Sequence, residues 1–301
     1  MGGGCLKSRA DSSDKPGRSI YGIASGQTVA YAVSMRRAET DHGQAPLRAA
    51  TRARHEILRA IGRAIVLLGC LGLGIVRAQS PSAPPEIELF NGRDLTGWRT
   101  PLGDWQVVGG VELDPEQPTR LRPLPGSGAV WNGPKGRTVH LVSEREFGDA
   151  EIHVEFCLAR RSNSGVYVMG RYEVQIYDSY GVERDKYPGI ECGGIYPRWV
   201  GEREVEGHSP RVNASGPAGE WQSFDIVFRA PRFDSTGRKV ENARFLRVIH
   251  NGQVIHENVE VTGPTRSALF EDEQAVGPLM LQGDHGPVAF RNVRVRPLQL
   301  P

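Results

Sequence analysis

Alternation with a period of two dominates residues 86–301. It is cleanest over residues 151–158, where Ile152, Val154, Phe156 and Leu158 oppose Glu151, His153, Glu155 and Cys157. Residues 221–229 repeat it, with Phe224, Ile226 and Phe228 inward and Asp225 read as a solvent-face residue. Residues 243–250 and 253–258 flank Asn251-Gly252, the strongest hairpin signal in the chain. Further strands are predicted over 86–90, 139–142, 277–282 and 288–296. Trp105 to Val108 runs into Gly109-Gly110, which reads as a tight turn with residues 111–113 returning. Residues 115–136, dense in Pro and Gly, read as irregular, with residues 129–131 an edge piece. Asn91-Gly92 and the Gly97-Trp98 pair mark a corner with a buried aromatic. No apolar period of 3.6 is sustained over three turns. The fold class expected is therefore all-β, an antiparallel sandwich or jelly roll of about 220 residues.

One stretch departs from a simple inside–outside code. Residues 162–180 read SNSGVYVMGRYEVQIYDSY. Ser162, Asn163, Ser164 and Gly165 form a turn signal, after which β-branched and aromatic residues take over. Parity then puts Arg171, Glu173 and Gln175 on one face, with Tyr172, Val174 and Ile176 on the other. Such a polar face is either a wet sheet surface holding an Arg171–Glu173 pair or the floor of a site for a polyhydroxylated ligand. The long loop over 181–219 supplies Glu191, Tyr196, Arg198 and Trp199, residues suited to the rim of a site.

Charge divides the chain near Ser80. Residues 1–78 hold 12 of the 37 Lys and Arg residues and 5 of the 35 Asp and Glu, a balance of +7. The remaining 25 basic and 30 acidic residues leave the body at −5, with both signs interspersed, so no nucleic-acid partner is expected. Residues 1–57, rich in Gly, Ser, Ala and Arg, read as a disordered extension or an over-extended start. Residues 58–78 carry the apolar run AIVLLGCLGLGIV behind Arg54, Arg59 and Arg63. That run is too short to span a bilayer and resembles a signal peptide, with cleavage after Ala78, lipidation at Cys70 or an uncleaved buried or anchoring helix as alternatives. The expectation is export to the periplasm or the extracellular space, with membrane contact only through the signal or a lipid anchor. Residues 79–85 form a Pro/Ser linker, and 86–301 the folded body. No cysteine pair has C-x-x-C spacing. In the body Cys157 and Cys192 read as separate small buried groups, with a disulfide as the alternative.

LFNGRDLTGW, WQVVGGVEL, NSGVYVMGRYEVQIYDSY, GGIY, GEWQSFDIVFR, HNGQVIHENV and GPLMLQGDHGPVAFRNVRVRPL occur in that order over residues 86–298. Together they resemble the 3-keto-disaccharide hydrolase family. The resemblance implies a concanavalin-like β-sandwich acting on 3-keto-glycosides, by hydrolysis or by lyase and hydratase steps that sum to it. Two departures stand out. Trp221-Gln222 replaces the family's usual Trp-Asn, and Gln282-Gly283-Asp284-His285-Gly286 is one residue longer than its Gln-Asp-His-Gly, which is expected to tilt His285.

A ketone at C3 of a sugar acidifies the hydrogen on C2, and the enolate formed by its removal expels the group on C1. That route needs a base tuned towards neutrality and a cation or donor for the enolate oxygen. Glu173 is the first candidate base and His285 the second catalytic candidate, as acid, base or metal ligand. Arg171 and Gln175 are candidates for the keto oxygen or hydroxyls, Asn163 and Tyr167 for sugar contacts, and Gln282 and Asp284 for substrate binding. A divalent metal held by Glu173, His285 and either Asp178 or Glu191 is left open, because no metal-specific spacing is present. The partner expected is a small-molecule sugar. A non-catalytic carbohydrate-binding sandwich is the competing reading.

Overall fold

The computed structural model describes residues 84–183 and 191–301. The N-terminal extension, the signal-like segment with Cys70, and the linker up to residue 83 lie outside the described residues. Every regular element among the described residues is a strand. In chain order they are β1 (Ile87–Glu88), β2 (Gln106–Leu113), β3 (Leu121–Trp131), β4 (Leu141–Phe147), β5 (Ala150–Leu158), β6 (Asn163–Val168), β7 (Tyr172–Tyr177) and β8 (Arg198–Val200). They continue as β9 (Arg203–Val205), β10 (Gln222–Arg229), β11 (Arg232–Phe233), β12 (Lys239–Glu241), β13 (Ala243–His250), β14 (Gln253–Val261), β15 (Gly277–Leu281) and β16 (Val288–Pro297). The large sheet runs β14-β13-β10-β5-β16-β3-β2, with β1 on β16, and the small sheet runs β4-β15-β6-β7. All pairings are antiparallel, and β8-β9 and β11-β12 form separate ribbons.

The alternating strands bury one row of side chains between the sheets. Phe156, Phe224, Ile226, Phe228, Phe245 and Phe290 of the large sheet meet Val166, Val168, Tyr172, Val174, Ile176 and Leu281 of the small one. Rings interlock there, Tyr172 on Phe228 at 5.3 Å and Phe228 edge-on to Phe245 at 5.1 Å. Trp98 is buried in the same core. Cys157 and Cys192 are free and buried. Asp225 Oδ1 accepts from His153 Nδ1 at 2.6 Å on the outer face of the large sheet.

Three local expectations fail. Gly109-Gly110 is not a turn: β2 runs through it, with a register shift between Val108 and Gly110. A Cβ on Gly109 would lie 2.2 Å from Pro125 O, so the glycine allows a close backbone approach. The segment expected to be irregular is β3. Its prolines are tolerated because β3 meets β16 only through Val130 and Trp131, so Pro123 and Pro125 lie where one neighbour is missing. The turn ahead of β6 also sits earlier than expected, closing with Ser162 N donating to Ala159 O, and Asn163 to Gly165 are already strand.

Candidate active site

The site lies on the outer face of the small sheet. Register pairs Tyr167 with Glu173, Gly165 with Gln175, and Met280 with Tyr167, so these side chains share that face. Val142, Tyr167 and Met280 form its apolar patch. Gly165 leaves room for the Glu173 carboxyl rather than making a turn: a Cβ there would stand 2.2 Å from Glu173 Oε1. The face is not open to water. Residues 192–197 run along the free edge of β7, with Gly193 N donating to Gln175 O at 2.7 Å, Gln175 N to Gly194 O at 2.8 Å and Tyr196 N to Glu173 O at 3.1 Å. The segment between β14 and β15 adds a second wall, since Glu173 N donates to Thr265 Oγ1 at 3.0 Å and Arg266 N to Pro197 O at 3.0 Å.

These walls enclose a cavity of about 200 Å³. Of the residues singled out by sequence, Asn163, Tyr167, Glu173, Gln175, Gln282 and His285 line it. Tyr196, expected at a rim, lines it as well, and Arg266 and Ser267 complete it. Nothing local in the sequence marks Arg266 or Ser267. They belong to a non-periodic connection nearly a hundred residues beyond Glu173, and Ser267 holds a left-handed backbone (φ 61°) that favours glycine.

Glu173 is 2% exposed. Burial pushes its carboxyl up to about 8; a hydrogen bond with Tyr167 opposes this, and the charge of Asp284 adds to it. Gln175, with its amide nitrogen turned towards the acceptors, donates to Glu173 Oε1 and to Ser164 O, both at 2.9 Å. Gln282 Nε2 lies 3.4 Å from Tyr167 Oη, while Gln282 Oε1 is buried without a hydrogen-bond partner. A buried acceptor left free beside a cavity is open to a ligand hydroxyl. Arg266 is exposed and stacks its guanidinium over Trp199 at 4.5 Å.

His285 is half-exposed at the mouth, its Nδ1 2.5 Å from Asp284 Oδ1. That contact leaves Nε2 as the ring nitrogen free of the carboxylate. Asp284 is itself not part of the cavity wall; it stands behind the imidazole, 3.8 Å from His140 Nδ1. The extra residue in this turn is absorbed without removing His285 from the cavity. Asn132 Nδ2 donates to Gly283 O at 3.1 Å and to Gly286 O at 2.7 Å, bracketing the turn. Gly283 is packed so tightly that a Cβ would fall 2.4 Å from Val139 O.

Arg171 does not join the site, against the parity reading. Met169 (φ 57°) and Gly170 (φ 65°) form the tip of the β6–β7 hairpin, and β7 begins only at Tyr172, so alternation does not extend back to Arg171. Its buried guanidinium donates to Asp272 O at 2.6 Å, Asp272 Oδ1 at 2.7 Å and Met169 O at 2.9 Å, and lies over Phe270 at 4.6 Å. It therefore fastens the segment that carries Arg266. The metal constellation is not assembled either: among the described residues no three His, Cys, Asp or Glu side chains converge. Asp178 instead accepts from Arg161 N at 2.8 Å, and Glu191 is buried outside the cavity wall. Gln222 lies far from this face, accepting from Gly216 N at 2.8 Å and facing His250 Nε2 at 3.0 Å.

Residues 85–296 match the model of the 3-keto-alpha-glucoside-1,2-lyase-like domain. No curated protein sequence matches the chain. Among solved structures, a candidate glycosyl hydrolase from Parabacteroides distasonis ATCC 8503 is 27% identical over 71% of this chain and 84% of its own, with a TM-score of 0.49. A second from the same organism is 20% identical, covering 71% of this chain and all of its own, with a TM-score of 0.44. A carbohydrate binding module, CBM66, from Bacillus subtilis is 9% identical over 64% of this chain and 95% of its own, with a TM-score of 0.32.

Proposed function

The chain belongs to the family of 3-keto-alpha-glucoside-1,2-lyase-like domains, and on that premise we propose that it cleaves 3-keto-glycosides by taking the C2 proton with Glu173. The observation that carries the reading is a buried carboxylate pushed up to about 8 in a small cavity that Arg266 also lines. A carboxylate at its ordinary value is too weak a base for a carbon acid, whereas one near neutrality is matched to the task. Arg266 takes the role first sought for Arg171, holding the oxygen on C3 as negative charge develops there.

The electrons then follow one path. The C2–H bond breaks towards Glu173, and its electron pair forms the C2=C3 bond of the enolate while the C3 oxygen gains charge. That pair next forms C1=C2, the C3 carbonyl returns, and the C1–O bond to the leaving group breaks. His285, whose Nε2 is free at the mouth, gives the leaving oxygen its proton. Water adding to C1 of the resulting 2-hydroxyglycal, with a proton returned to C2, completes net hydrolysis. Gln175, Asn163 and the free oxygen of Gln282 hold the ring hydroxyls. Export of the chain, as its N-terminal segment suggests, fits a role in degrading sugars outside the cytoplasm.

The test is turnover of a 3-keto-glucoside in deuterated water. Aglycone release with deuterium incorporated at C2, lost in Glu173→Gln, supports the reading. Aglycone release in which C2 of the sugar product keeps its original hydrogen rejects proton abstraction. Saturable sugar binding with no release makes the protein a carbohydrate-binding sandwich instead.

A further inference from the structure

Beside the Glu173 cavity lies a second hollow of about 360 Å³, and the two share Arg266 and Ser267 in their walls. Trp199 of β8 and Phe270 also border it. At about 200 Å³ the Glu173 cavity is smaller than the ~300–1,000 Å³ usual for small-molecule sites, whereas the two together fall inside that range. Trp199 is 43% exposed and borders this hollow, so its ring is accessible to a bound molecule. One of its faces carries the Arg266 guanidinium, and Arg266 also lines the Glu173 cavity, so the indole and the reacting centre border the same residue.

The walls of this hollow are fixed. Arg198 Nη1 donates to Thr262 Oγ1 at 2.7 Å, and Gly263 leaves room for that guanidinium, since a Cβ there would lie 2.4 Å from Nη1. Thr265 and Ala268 close a turn (Ala268 N to Thr265 O, 3.1 Å) that presents Ser267 between the two spaces in its left-handed conformation. A site with an exposed indole, anchored arginines and mixed polar lining suits a hydroxylated six-membered ring, held by stacking and by hydrogen bonds to its edges.

We propose that this second hollow binds the leaving group, a second hydroxylated ring linked to C1 of the keto sugar, and that Trp199 sets the preference for it. The proposal rests on the catalytic reading above, since it takes the Glu173 cavity as the site of the keto ring. Stacking on Trp199 favours substrates with a second ring over those carrying only a small alkoxide.

The experiment compares two substrates, a 3-keto-disaccharide and a methyl 3-keto-glucoside, on the full chain and on Trp199→Ala and Trp199→Phe. The ratio of kcat/KM for the two is expected to fall by about fivefold or more in Trp199→Ala, the size of one lost aromatic contact, and to recover in Trp199→Phe. An unchanged ratio overturns the proposal, as does a ratio that falls equally in Trp199→Phe. Calorimetric binding of the same two sugars to Glu173→Gln reads the hollow without turnover. Tighter binding of the disaccharide, weakened by adding Trp199→Ala, supports it even where catalysis is absent; equal binding of both sugars rejects it. Failure of the catalytic reading shows separately, as no aglycone from either substrate.

Discussion

Replacing Glu173 with glutamine tests the electrostatics of the site before any substrate is added. Glutamine keeps the shape of the protonated carboxyl and its oxygen can still accept from Tyr167 and Gln175, so near pH 4.5 and below, where the carboxyl is still largely protonated in both states, the variant should fold with stability within about 1 kcal/mol of the parent. The two then diverge with pH. The folded carboxyl titrates at about 8 against 4.5 for the ordinary group. Its folded pKa is the higher one, so the native state keeps the proton where the unfolded chain has lost it. The contribution to stability is complete below about 4.5 and is lost as pH rises through about 8. At 1.36 kcal/mol per unit the whole difference is roughly 5 kcal/mol. In a domain of this size that is a fall in Tm of about 10 °C or more.

His250 and His256 act in the opposite sense at lower pH. Burial holds both at about 4, so they add stability as pH rises from there towards 6.5. The difference between parent and Glu173→Gln cancels that background. Urea unfolding of both proteins at steps from pH 5 to 9 should give a difference that moves steadily in favour of glutamine up to about 8 and is flat above it. A pH-independent difference would refute the argument that burial has raised this carboxyl. In the parent, kcat/KM should climb about tenfold per pH unit below 8, since only the ionised fraction acts as base. Glu173→Gln should lose roughly 10²–10⁴ of that activity.

Gly165→Ala should fold yet lose roughly a hundredfold in kcat, because the new methyl displaces the Glu173 carboxylate; wild-type kcat in a protein of unchanged Tm would contradict this. Asp284→Asn removes a charge that raises Glu173, so the acidic limb of the pH–rate profile should move to lower pH; a limb moving upward would contradict the assignment. Arg171→Met should cost about 2–3 kcal/mol in urea unfolding, less than a fully buried pair because the released Asp272 carboxylate turns to water, and should raise KM by loosening the segment that carries Arg266. Asn132→Ala should cost about 1–3 kcal/mol through the buried carbonyls of Gly283 and Gly286, with loss of the His285-dependent step measured by aglycones of differing pKa.

What the sequence made legible was what alternation encodes. Phe224, Ile226 and Phe228 face the core as their period demands, and the Asn251-Gly252 hairpin forms where its turn chemistry dictates. Misreadings arose where one local signal has two physical causes. Gly109-Gly110 marks close strand contact, although the same pair elsewhere makes a turn. Arg171 obeys parity in the sequence but precedes the strand, because two left-handed residues at the hairpin tip break the count. Arg266 and Ser267 carry no local signal at all, since a connection without periodicity delivers them across a long stretch of chain.

The polar face of β7 was legible; its burial was not, and the chemistry depends on that difference. Strand register alone fixes the spacing of Tyr167, Glu173 and Gln175, and on an open sheet those groups would sit in water with Glu173 an ordinary carboxylate. The walls formed by residues 192–197 and by the segment around Thr265 take up the free backbone groups of β7 and exclude solvent, and desolvation is the largest cause of the raised pKa. Base strength here is thus a property of two loops rather than of the strand bearing the base. It follows that substitutions which loosen either wall, leaving every cavity side chain in place, should shift the acidic limb of the pH–rate profile downward before they change the sugar specificity.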